Sequence, residues 1–214
     1  MERVKRLLIV VLVIGISIVS GAAQDRARVP RPAQPRIPPL APSEMTDAHR
    51  SALRRFYRGE ETGNIFRTCV RNVELCRAWQ PFADHLVAAT NSVPAREREM
   101  LILRTSWLCG ADYDWSHHVA AGKNAGLSQD EVLRIARGPD ASGWTAFDAA
   151  VLRAADELHQ DQHITDATWA ALRGRYTESQ LMDAIFTVGQ YTLVSMFLNS
   201  AGVQLEPGYS GLPK

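Results

Sequence analysis

The sequence predicts an all-α fold of about seven to nine helices, and three observations carry that prediction. Apolar residues recur at three- and four-residue spacing through most of the chain after residue 43. Ser or Thr repeatedly opens such a run with Glu, Gln or Asp three residues on, as in Ser128 with Glu131, Thr145 with Asp148 and Thr177 with Gln180; this marks a capped helix start. No stretch of useful length alternates apolar and polar residues as a half-buried strand does, and no repeat of fixed period is present.

Taken in order, Val29 to Pro42 holds six of the eleven prolines and can form neither helix nor central strand, so 24–43 is expected to be a stiff, extended arm. A helical domain then runs over 44–206, with a tail at 207–214. Thr46 can cap a first helix with Leu53, Phe56 and Tyr57 facing inward. After a break from Gly59 to Gly63 comes a short helix through Ile65, Phe66 and Val70. Val73 to Ala89 follows, placing Leu75, Trp79, Phe82, Leu86 and Val87 on its inner face. Pro94 suits a first helical turn, because its missing N–H costs nothing there, and that helix runs to about Leu108.

Gly110 interrupts the pattern, and a second helix passes through His118 to Ala125, where Gly126 suits a left-handed terminal residue. Ser128 starts a helix to about Arg137, ended by Gly138-Pro139. Thr145 opens the next, with Phe147, Val151, Leu152 and Leu158, and Thr165 another, with Trp169 and Leu172 inward. Glu178 to Ala201 is a long helix stopped by Gly202. Its apolar residues cover more than one face, which places it centrally in the bundle or at a subunit interface. Gly189 on it suits close helix contact and Tyr191 can reach a cavity with its hydroxyl, although core packing accounts for both as well.

The chemistry concentrates in the hairpin of helices around Gly110. Asp114 and His118 are four apart, one turn above the other on a single helical face. Glu99, on the preceding helix, comes into range if the two helices fold together. Glu99, Asp114 and His118 around an apolar, Trp-lined hollow are equipped for general acid and base catalysis, because burial moves such pKa values towards neutrality. An exposed Asp114/His118 ion pair, with a solvated Glu99 in the charged turn Arg96 to Glu99, is the plainer arrangement of the same residues.

This hairpin resembles the carboxymuconolactone decarboxylase and alkylhydroperoxidase D superfamily. That family carries a Glu, twelve residues later the first Cys of a Cys-x-x-Cys pair, and a His four beyond the second Cys. Glu99 and His118 match, whereas Ala111 and Asp114 stand where the two cysteines would be. The similarity extends from about Ile37 to Pro213, and Trp107 to Trp115 is similar to the decarboxylase-like branch. It implies an alkylhydroperoxidase D-like helical bundle with a helix-hairpin active site but without the disulfide chemistry.

The implied activity is that of a cofactor-free lyase or isomerase on a small carboxylated or enolisable molecule. His118 is then the proton donor or acceptor, Glu99 the second acid/base group, and Asp114 the residue orienting the imidazole. Trp115, His85 and Tyr191 are the candidate substrate contacts, though a lone His such as His85 on a half-apolar helix suits a structural hydrogen bond equally. Two alternatives remain. One is the peroxidase activity of an antioxidant, peroxiredoxin-type protein, for which Cys109 is the only nearby thiol and would need an external thiol to recycle it. The other is a non-catalytic helical oligomer that binds a small ligand. The resemblance further implies a homo-oligomer, a trimer or a multiple of one.

A net charge of +1 and a pI of about 7.8, with no concentration of Lys or Arg beyond the first residues, give no electrostatic reason to expect nucleic acid as a partner. Arg3, Lys5 and Arg6 precede an apolar run from Leu7 to Val19 and the small residues Ser20 to Ala23, the pattern of a signal peptide over 1–23 that leads to a periplasmic or secreted protein. If uncleaved, the same segment is a membrane anchor and the only contact with a membrane. In an oxidising compartment, three cysteines suggest one bridge, for which Cys69 and Cys76 at a helix junction are the candidates, although all three also read as small buried residues. His159 and His163 share a helical face, and Asp114, His117 and His118 cluster, but neither set has a recognised zinc spacing, so no metal is expected.

Overall fold

The computed structural model describes residues 29–213, all of whose regular structure is helical. The expected export segment lies outside the described residues. The arm runs without regular structure from Val29 to Ala41 and lies across the chain's own helical body. There the backbone N–H groups of Arg36 and Ile37 donate to the Ala201 carbonyl, and Arg31 donates to the carbonyls of Cys109 and Gly110.

The helices follow as α1 (Asp47–Leu53), α2 (Asn64–Cys69), α3 (Val73–Val87), α4 (Ala95–Leu108), α5 (Asp112–Asn124), α6 (Gln129–Arg137), α7 (Ala146–Asp161), α8 (Asp166–Arg173) and α9 (Glu178–Ala201). Thr46, Ser128, Thr145, Thr165 and Thr177 each accept from a backbone N–H three residues on, satisfying donors that a helix start leaves open. Three details differ from the sequence reading. Arg54, at a φ of 50°, ends α1 at Leu53, so Phe56 and Tyr57 leave the helix and are only half-buried. Pro94 is the N-cap of α4, just outside its first turn. Leu75, Phe82 and Trp169 are exposed rather than inward, since the buried face of α3 carries Cys76, Gln80, Ala83 and Leu86 and that of α8 carries Thr168 and Leu172.

α4 is the axis of the fold. It packs against α5, α6, α7 and α9, and Met100, Leu101, Ile102, Leu103, Thr105 and Ser106 on it are fully enclosed. Such a helix has no solvent side, so its charged residues must find partners. Arg104 makes a two-pronged pair with Asp156 on α7 (2.5 and 2.9 Å) and donates to the Ile135 and Ala136 carbonyls of α6. Arg96 reaches Asp148 on α7 (2.8 Å) and Glu131 on α6 (2.6 Å). These planar forks hold three helices in register, a task to which a point-charge lysine is poorly suited.

α9 is the second long element. It buries Leu181, Ala184, Val188, Val194 and Leu198 against its neighbours and leaves Met182, Phe186, Leu193 and Met196 in solvent. Cys69 and Cys76 come together across the α2–α3 junction, as their spacing suggested, but both are free thiols and hydrogen-bond instead of bridging. That contact and burial push the Cys69 thiol far above its usual range.

Candidate active site

Gly110, at a φ of +61°, turns the chain sharply between α4 and α5, so the two helices lie side by side. The consequence is the contact on which the acid/base reading depends: His118 Nδ1 lies 2.7 Å from Glu99 Oε2. Glu99 is buried, as are Glu97 and Arg98 beside it, so the solvated first turn allowed by the sequence is not formed. The other ring nitrogen, His118 Nε2, is 2.9 Å from the Tyr191 hydroxyl of α9, and the two rings meet edge to face. Glu99, His118 and Tyr191 therefore form one hydrogen-bonded line, with the carboxylate at its inner end and the phenol at its outer end.

That line opens into a cavity of about 420 Å³. Its walls are Ile65, Phe66, Ala83, Leu86 and Val194, and His118, Tyr191 and Asp114 contribute to its lining whereas Glu99 stands behind the imidazole. Asp114 is buried and its carboxyl pKa is pushed up to about 7 by desolvation, against the attraction of His118 and His117 and a weak Ser195 hydroxyl contact at 3.5 Å. Burial also disfavours the His118 imidazolium, but the charge and hydrogen bond of Glu99, with Asp114, outweigh it and raise the pKa above the ordinary imidazole value. Burial drives the Tyr191 phenol well above its usual range, so it stays protonated at neutral pH. A carboxyl near 7, an imidazole above its usual range and a neutral phenol can together hold, give and take a proton around pH 7.

The structure thus brings Glu99, Asp114, His118 and Tyr191 to one place and corrects the other assignments. Glu99 rather than Asp114 holds the imidazole, since the Nδ1 bond goes to Glu99. Trp115 faces away from the cavity and is buried in the main core against Trp107. His85 sits one position before the cavity-facing Leu86, which turns it outward to pair with Asp183 at 2.9 Å. Cys109 is outside the cavity lining, with its sulfur 3.7 Å from His159 Nδ1 and its thiol pKa raised by burial. His163 is exposed. Among the described residues no cluster of His, Cys, Asp and Glu is arranged to hold a metal ion.

Other contributors were not singled out as site residues. His117 lies between the rings of Tyr113 and Tyr209 and bonds Glu206 at 2.8 Å. Glu206 also accepts from the Tyr113 hydroxyl (2.7 Å) and the Asn64 backbone (2.6 Å); against burial, these bonds bring its pKa down to about 2. The pairing fastens the C-terminal segment over the cavity, which Tyr209 helps to line. Trp79 and Gln190 also line it. The apolar periodicity of α3 pointed Trp79 inward, but nothing in the sequence distinguished Gln190 from other polar residues of α9.

Residues 74–157 match the family model of the carboxymuconolactone decarboxylase family. Solved structures share the fold. An uncharacterized peroxidase-related protein from Ralstonia eutropha JMP134 with an alkylhydroperoxidase AhpD core superposes with a TM-score of 0.71 at 20% identity, covering 84% of this chain and 95% of that one. The debrominase Bmp8 in complex with 2,3,4-tribromopyrrole gives 0.65 at 16% identity, covering 80% and 91%. An uncharacterized peroxidase-related protein from Silicibacter sp. TM1040 gives 0.63 at 17%, covering 69% and 78%. A search of curated proteins gives no match. At these identities the structural likeness speaks to the fold alone.

Proposed function

We propose that the chain belongs to the carboxymuconolactone decarboxylase and AhpD-like superfamily, a reading supported by the family match over residues 74–157, and that it is an acid/base enzyme acting on a small carboxylated or enolisable molecule. The observation that supports this most directly is the line Glu99–His118–Tyr191, which ends at an apolar cavity also lined by Asp114. In this reading Glu99 keeps the proton on Nδ1 and supports the imidazolium, and His118 exchanges a proton with substrate carbon or oxygen through the Tyr191 hydroxyl. Asp114 is the second proton carrier.

In an isomerisation, one group removes a proton from a carbon next to a carbonyl, the C–H electron pair moves into the enolate, and the other returns a proton at a different carbon. In a decarboxylation, the C–C bond to the carboxylate breaks, carbon dioxide leaves, and the carbon left with the electron pair takes the proton. Both need a dry pocket and a donor near the developing oxyanion, a place that Tyr191 can fill. A peroxidase reading through Cys109 has no comparable support, because that thiol is outside the cavity and burial favours its protonated form.

We further propose that the protein works as a homo-oligomer, a reading supported by the exposed apolar residues of α9, and that it is exported, a reading supported by the composition of 1–23. The test of the catalytic reading is His118→Gln: proton exchange or turnover of an enolisable compound disappears while the helical circular dichroism is kept. Turnover equal to wild type removes His118 from the reaction.

A further inference from the structure

The residues that line the cavity are not equally buried. Arg58, Glu61 and Tyr209 are exposed to solvent as well, Tyr209 at 45%, so these three mark its mouth. The mouth has two lips, and they are built differently. The segment between α1 and α2 brings Arg58 and Glu61. It is stitched from inside by the buried Thr62, whose hydroxyl accepts from the Arg58 backbone and donates to the Gly59 carbonyl, both at 2.8 Å. The other lip is the C-terminal segment, which brings Tyr209.

This second lip is tied down at its ends. Before it, Leu205 packs with Ile65, Tyr113 and Leu198, and Glu206 holds Tyr113, Asn64 and His117. After it, Leu212 packs on the main core and its backbone N–H donates to Asp112 Oδ1 at 2.8 Å. Between the ties run Pro207, Gly208, Tyr209, Ser210 and Gly211, and their backbone hydrogen bond, from Tyr209 N–H to the Glu206 carbonyl at 3.3 Å, is internal to the segment. Gly208 has a φ of +91° and nothing within 4 Å of where a side chain would begin, so the tongue stands clear of the body there. What seats it is the Tyr209 ring, stacked on the His117 imidazole with centroids 4.2 Å apart. His117 is itself fixed by Tyr113 on its other face and by Glu206. A tongue with firm ends, a glycine on either side of its aromatic residue and a ring stack for a seat opens at low cost, since few contacts break and glycine accepts the new backbone angles.

We propose that Pro207 to Gly211 is a gate and Tyr209 the residue that closes it: the ring seated on His117 narrows the mouth, and its lifting from His117 admits small compounds to His118. The ties at Glu206 and Leu212 return the tongue to its place. The gate concerns access to the cavity, whatever reaction His118 then performs.

The test reads access chemically. Diethyl pyrocarbonate is a small uncharged reagent that acylates imidazole nitrogens, and peptide mass spectrometry follows each histidine of the full-length protein separately. The exposed His163 is the internal reference, and His85, on the outer face of α3, reports general loosening. Relative to His163, the rate at His118 is expected to rise about two- to tenfold in Tyr209→Ala, the range that losing one aromatic stack allows. It is expected to keep its wild-type value in Tyr209→Phe, which retains the ring, and in Ser210→Ala, on the same tongue. An unchanged His118 rate in Tyr209→Ala overturns the gate, as does an equal rise in Tyr209→Phe or Ser210→Ala. A matching rise at His85 overturns it too, because the whole bundle has then loosened. Faster modification of His118 in Tyr209→Ala, with no turnover of any enolisable compound by wild type, leaves the gate standing and counts against the acid/base reading alone.

Discussion

Tyr191→Phe separates a relay from a His that acts directly on substrate. The substitution keeps the ring that packs edge to face on His118 and removes only the hydroxyl bonded to Nε2 at 2.9 Å. Its structural cost is that of one buried ring nitrogen losing its partner, about 1–3 kcal/mol. For a chain of this length that lowers Tm by about 2–4 °C per kcal/mol, so a fall of about 2–12 °C is expected with the fold intact. The catalytic cost is larger, because a positioned acid/base group contributes about 10²–10⁴ to the rate. The assay is deuterium incorporation from heavy water into the carbon next to the carbonyl of an enolisable ring ketone, followed by proton NMR and paired with a melting curve. A loss of at least about a hundredfold with binding retained is the expected result. If Tyr191→Phe exchanges within about threefold of wild type while His118→Gln is inactive, the proton passes straight from the imidazole and the relay is refuted.

Asp114→Asn tests the buried carboxyl through stability. Its pKa in the folded chain, about 7 against an ordinary 3.8, means that the folded state holds a proton the unfolded state has released, so wild-type stability falls as pH rises through that window. The Asn variant escapes the fall and is expected to be more stable than wild type at pH 8, by up to about 4 kcal/mol, with little difference at pH 4, as read from urea midpoints. A variant less stable at both pH values contradicts the burial argument. Cys109→Ser, outside the cavity, is expected to leave proton exchange within about twofold of wild type; loss of activity would bring that sulfur into the chemistry. Phe186→Glu puts charge on the exposed face of α9 and is expected to shift the mass in solution from oligomer to monomer, with an unchanged assembly ruling this face out as the contact.

The helices were legible because their ends are chemical. Ser128, Thr145, Thr165 and Thr177 compete with solvent for backbone N–H groups wherever they stand, so a local pattern located each start without knowledge of the fold. The meeting of Glu99 with His118 was legible in part, from the break at Gly110. What lay beyond local pattern was the direction of side chains set by distant partners. Tyr191 came within reach through α9, 73 residues along the chain from His118, and its helical spacing fits core packing equally well. His85 and Trp115 failed for the same reason: helix periodicity places a residue on a face, but only the neighbouring helices decide whether that face lines a cavity, a core or the solvent. The latch between His117 and Glu206 spans 89 residues and left no trace in composition.

The two carboxyls of the site occupy equally buried positions and yet do different work, and the reason is what each is given to hold. Glu99 has a ring nitrogen at 2.7 Å, and the other nitrogen of that ring bonds the Tyr191 hydroxyl. Asp114 has only a long Ser195 contact and the more distant pull of two imidazoles, so desolvation prevails and its proton is held to about pH 7. Placing an acidic side chain where a redox pair would supply a thiolate therefore replaces an electron-pair donor with a proton store. Because that store faces the cavity and turns negative just above neutrality, it repels an anionic ligand at the moment it becomes a base. Proton chemistry and discrimination against anions above neutral pH then follow from the same residue, and Asp114→Asn should relax both: the variant loses base strength and tolerates an anionic ring compound such as 4-hydroxybenzoate better than wild type does. A variant that loses proton exchange and still rejects the anion would separate the two roles.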